Sequence, residues 1–145
     1  MTIRAWTTAF AALALVSVGA QAALASEAPL DASIREVVAG NVAAYDREDA
    51  AATMGFVHTK SPDYESTRTA LAEQFAAHDI TTELIGFTLM GHDDEFVVAR
   101  VKVKSTAKAG SGFTNNVTDS IVIFHEENGA WKLWDEAVLG IQLLP

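Results

Sequence analysis

The chain of 145 residues contains no cysteine, so no disulfide can staple it and its fold must rest on packing. Cations are scarce as well: ten Lys and Arg stand against nineteen Asp and Glu, a formal net charge of −9. With no basic cluster, that balance argues against nucleic-acid partners and against charge-driven attachment to anionic lipid. Metal-ligand spacing is missing too. His58, His78, His92 and His125 are dispersed, and His92-Asp-Asp-Glu95 sits where a hairpin turn is needed. No G-x-S-x-G, H-E-x-x-H, phosphate loop or glycine-rich dinucleotide fingerprint occurs, so neither a metal nor a cofactor is expected. Repeats are absent, and the chain shows no low-complexity tract beyond its first 25 residues.

Those first residues read as a processing signal. Arg4 supplies a small basic region, and Ala9 to Val18 is an apolar stretch too short to span a bilayer. Ala20-Gln-Ala22 and Ala23-Leu-Ala25 both offer small-x-small cleavage sites. Residues 1–25 are therefore expected to be a signal peptide, cut after Ala22 or Ala25, leaving a periplasmic or secreted protein with no membrane insertion. Residues 26–30 read as a polar, proline-containing, disordered leader. Residues 31–145 make one domain, long enough to bury a core of its own.

Three helices open that domain. Ser33-Ile-Arg-Glu36 has the spacing of a capping box, and Ile34, Val37, Val38, Asn41, Val42 and Tyr45 then recur at three and four residues, marking one buried face. Asp49 can cap a second, short helix that runs through Met54 and Val57 towards His58, and Ser61-Pro62-Asp63 is a turn. A third helix is expected from Ser66 to His78, with Leu71, Phe75 and His78 on one side.

From Asp79 the period changes from helical to two. The expected strands are 80–90, 95–107, 113–126 and 130–142, joined by short turns into an antiparallel meander. Asn128-Gly129 between two apolar runs is the strongest of these turn signals. The fold class is thus α+β: three N-terminal helices packed in a curved antiparallel sheet of about four long strands, shaped as a cone. Ile121-Val-Ile-Phe124 is apolar on both faces. Burial on the outer face is most simply supplied by a second copy, a homodimer paired through the sheet, with Phe124 and Trp134 as expected contact residues.

Val42-Ala-Ala-Tyr45 with Asp49, Leu71 to Phe75, and Asn128-Gly-Ala-Trp-Lys-Leu133 together resemble the nuclear transport factor 2 superfamily. That cone fold is shared by SnoaL-like polyketide cyclases and ketosteroid isomerases, and the resemblance spans Asp31 to Leu143. It places the first helix, the segment after the second helix and the inward residues of the last strands at the cone's mouth. At the position of the isomerases' oxyanion-binding tyrosine the chain has Asn41, with Tyr45 one turn later. Asp63 lies near the place of the proton-moving aspartate, and the strand acid has no counterpart.

If Trp131 and Leu133 point inward, alternation carries Asp135 inward with them. Tyr45, His58, Tyr64 and Asp135 are therefore the candidate ligand-binding set, and Tyr45, His58 and Asp135 the candidates for acid/base catalysis. Besides a pure dimerisation module with a filled cone, two functions stay open. One is a non-catalytic module binding a small apolar ligand, or a partner segment, in the cone. The other is a SnoaL-like enzyme of isomerase, cyclase or dehydratase type, acting on a carbonyl compound.

Overall fold

The computed structural model describes residues 29–145, so the expected signal peptide and most of the leader lie outside the described residues. Helix α1 runs Leu30–Asp46, α2 Ala50–Met54 and α3 Tyr64–Ala77. Strands β1 (Ile80–His92), β2 (Phe96–Ala107), β3 (Asn116–Glu127) and β4 (Ala130–Leu143) follow in one antiparallel sheet of order β1-β2-β3-β4. The α+β meander is the one the periodicity implies.

Helix α1 begins a turn earlier than the Ser33 capping box indicates. Pro29 occupies the cap position, and its carbonyl accepts from the Ala32 and Ser33 N–H groups at 2.7 and 3.2 Å. Proline's fixed φ favours helix entry, and Leu30, expected in the leader, packs on the core instead. Asp49 caps α2 as anticipated, its carboxylate accepting from the Ala52 N–H at 2.9 Å. Residues 56–58 leave the helix and lie beside β4. There the His58 N–H donates to the Leu133 carbonyl and the Leu133 N–H to the Phe56 carbonyl, both at 2.8 Å. Gly40 permits the close approach behind this, since a Cβ there would lie 2.7 Å from the Phe56 ring. Asn128 and Gly129, at φ of 54° and 80°, make the final hairpin turn left-handed.

One core lies between α1 and the concave face of the sheet, built on Ile34, Val38, Val97, Ala99, Val101, Val122 and Phe124. Each large side chain buried there stabilises the fold by ~1.5–3 kcal/mol over its exposed state. A second cluster joins Met54, Val57 and Leu71 to Tyr45, Tyr64 and Phe75. Phe124, expected on the outer pairing surface, is fully buried in the first core. The strand is apolar on both faces, so its composition holds no clue to parity. It is Ile121 and Ile123 that face outward, opposite Arg100 and Val98 of β2. On that convex side the Asp119 carboxylate accepts from the Arg100 guanidinium at 2.8 and 2.6 Å, and Lys102 lies 3.4 Å away.

Two interruptions in the β3–β4 register decide what the cone contains. Phe124 pairs with Leu133, but Ile123 pairs with Asp135, leaving Trp134 as the extra residue of a bulge. A second shift leaves Leu139 between Val138, opposite Ser120, and Gly140, opposite Asp119. Each extra residue reverses which side chains of β4 face inward.

Candidate functional site

A cavity of about 230 Å³ opens between α1 and the concave face. Val38 and Val42 of α1 form one wall, and Val101, Val103, Val122 and Leu133 of the sheet the other. Alternation on β2 and β3 brings these valines to one face, and with them Ser105, Thr118 and Ser120. Asn41, Tyr45, Thr82 and Glu136 complete the lining.

Three of the polar side chains are tied down, with Thr118 donating to the Asn116 amide oxygen at 3.3 Å. The Asn41 amide donates to the Thr53 carbonyl at 3.4 Å, and the Thr82 hydroxyl to the Val42 carbonyl at 3.3 Å. Asp46 holds the start of β1 by accepting from the Thr82 N–H at 2.7 Å. Tyr45 meets the Phe75 ring edge-on at 4.9 Å. Burial first, and then the negative charges of Glu136 and Glu48, push its phenol above the ordinary value, so it is a proton-bearing donor at neutral pH. Ser120 is the most buried of the rest: only 2 % exposed, its hydroxyl has no hydrogen-bond partner among the described residues. A buried hydroxyl without a partner is costly, and functional sites are where such groups are kept.

Of the four residues singled out from the sequence, only Tyr45 lines this cavity. Asp135 does not, because the bulge at Trp134 turns it outward. It lines an adjoining groove with Ser61, Asp63 and Trp134, which shares Leu133 and Glu136 with the cavity, and its carboxylate accepts from the Glu136 N–H at 2.7 Å. Glu136, opposite Val122, takes the inward place. Tyr64 packs on the second cluster and borders a surface depression beside Arg68 and Glu127. His58 is buried on the far side of β4, its ring 4.8 Å from Trp134 and 5.1 Å from His125. Its Nδ1 accepts from the Lys60 N–H at 3.0 Å, which fixes the proton on Nε2 while the ring is neutral. Trp134, expected on the pairing surface, belongs to this ring cluster with Phe96.

Glu136 was hidden because nothing in Trp-Lys-Leu-Trp-Asp announces a bulge. Ser120 was hidden too: it shares a face with Val122 and Phe124, but the strand is apolar on both faces and does not say which of them is inward.

Helices closed over a curved four-stranded meander, with an open cavity between them, are the arrangement of the nuclear transport factor 2-like, or cystatin-like, fold. Solved structures with this fold include a Nostoc punctiforme protein described as having a cystatin-like fold (TM-score 0.62, 11% identity, 79% of this chain and 90% of that one). A ketosteroid isomerase-like protein from Erwinia carotovora atroseptica gives TM-score 0.58 at 13% identity, covering 76% and 96% of the two chains. The hexachlorocyclohexane dehydrochlorinase LinA-type3 from Novosphingobium barchaimii gives 0.58 at 11%, covering 78% and 88%. At such identities the likeness is one of fold alone. No curated protein matches the chain at a significant level. The model of the family described as "Anti-sigma-I factor RsgI9, C-terminal domain" matches residues 36–144, and the chain belongs to that family.

Proposed function

We propose that this domain is a non-catalytic binding module that holds a small, largely apolar ligand in its cone. The observation that carries the reading is the cavity itself, walled mainly by valine and set with a few hydroxyl, amide and carboxylate groups. Pockets that bind small molecules have this composition, apolar walls for affinity and sparse polar groups for orientation. Membership of a family named for a domain of an anti-sigma factor, a regulatory protein, favours binding over turnover.

A second reading, acid/base chemistry on a carbonyl compound, draws support from one pairing. Tyr45 keeps its proton and Glu136 lines the same cavity, so a donor and a base share one space. His58 and Asp135 lie outside that space.

The protein also works, in this proposal, as an exported homodimer. Residues 1–25 would be removed on export, and two convex sheet faces would meet around Ile121 and Ile123. Native mass spectrometry of protein purified gently from its own compartment tests these points together. A processed dimer with a small extra mass that is lost on denaturation is the expected result. A bare, unprocessed monomer would overturn it.

A further inference from the structure

We propose that the ligand of the cone is a small organic cation, an apolar body bearing one ammonium or amidinium group that pairs with the Glu136 carboxylate. This rests on the binding reading above and names its ligand class. Among the described residues, Glu136 is the only formally charged side chain lining the cavity, and no Lys, Arg or His lines it. Among the described residues its carboxylate takes part in no ion pair. The cavity thus presents one uncompensated negative charge against valine walls, where an anion would be repelled and a cation drawn in.

Two further features point the same way. Glu48 adds its negative charge on the Tyr45 side, and both acids act on the phenol in the same direction. Independently, Ser120 belongs to the cavity wall, is 2 % exposed, and its hydroxyl has no hydrogen-bond partner among the described residues, a polar group left over for a ligand N–H. The space sets the size: 230 Å³ is about eight water-sized groups at ~30 Å³ each. An amine on a single ring or a short branched chain fills it.

Three probes of one shape and different charge separate the possibilities: phenethylamine, phenethyl alcohol and phenylacetate. Each is titrated into the full domain at neutral pH and low ionic strength, with the methyl signals of Val101, Val122 and Leu133 followed by NMR. Phenethylamine should bind about fivefold more tightly than the alcohol, the upper range for a solvent-reached ion pair, and phenylacetate more weakly still. Glu136→Gln should bring the amine to the level of the alcohol, whereas Asp135→Asn, in the outer groove, should leave the order intact. Equal binding of amine and alcohol, a preference for phenylacetate, or a preference that survives Glu136→Gln would overturn the cation assignment while leaving the cone a binding site. If none of the three moves those signals, the binding reading falls with it.

Discussion

Ser120→Ala should make the protein more stable. The residue is 2 % exposed and its hydroxyl has no partner among the described residues, and a buried hydroxyl left so costs ~1–3 kcal/mol. Against this, deleting the oxygen leaves a void of roughly 10 Å³, and at ~24 cal/mol per Å³ that amounts to only about 0.2 kcal/mol. Desolvation wins. The neighbours across the sheet, Val101 and Val138, are both apolar and lose no hydrogen bond with the oxygen. The net gain is about 1 kcal/mol, or ~4 °C in Tm for a domain of this size. Urea and thermal melts of the two proteins at matched concentration, followed by circular dichroism, measure it. A stability loss beyond ~0.5 kcal/mol would show that the hydroxyl is already bonded, and would remove the argument that it is kept for a ligand. The same variant should bind the cone's ligand less well, so stability and affinity move in opposite directions.

Two other predictions concern the sheet. The Asp119 carboxyl is held down to about 2, against 3.8 ordinarily, first by its hydrogen bond from Arg100 and further by Lys102. Its stabilising contribution is complete above the unfolded value and is lost as pH falls through the folded one, so Asp119→Asn should flatten the acid limb of a stability-against-pH profile between about 4 and 2. An unchanged limb would mean the pair is not held in solution. Substitution on the two faces of β3 should separate cleanly. Phe124→Ala should cost about 3–5 kcal/mol in denaturant melts. Ile123→Glu should leave the fold intact and shift sedimentation from dimer to monomer. Similar destabilisation by both would contradict the assignment of the two faces.

What the sequence disclosed and what it withheld follow from the range of the forces involved. The meander was legible because period-two patterning and an Asn-Gly turn are local signals, and the described strands lie within a few residues of the expected ones. Asp49 was legible as a cap for the same reason. The start of α1 was misplaced because the Ser33 spacing is a weaker guide than the proline that precedes the helix. Parity in Ile121-Val-Ile-Phe124 could not be read at all, since only contacts from α1 distinguish its two apolar faces. Asp135 was drawn inward by an alternation that holds only while a strand pairs regularly, and a bulge is a property of two strands together.

The bulge at Trp134 also bears on how the site tolerates change. Position 135 is acidic and position 136 is acidic, and the bulge decides which of the two looks into the cone. If the bulge were ironed out so that Trp134 paired with Ile123, Asp135 would fall opposite Val122 and the two would exchange, and a carboxylate, one methylene shorter, would still face the cone. The charge at the mouth is therefore robust to a one-residue slip, while its reach is not. A change of register that kept every residue would therefore alter the depth at which the charge stands in the cone without inventing a new charged group.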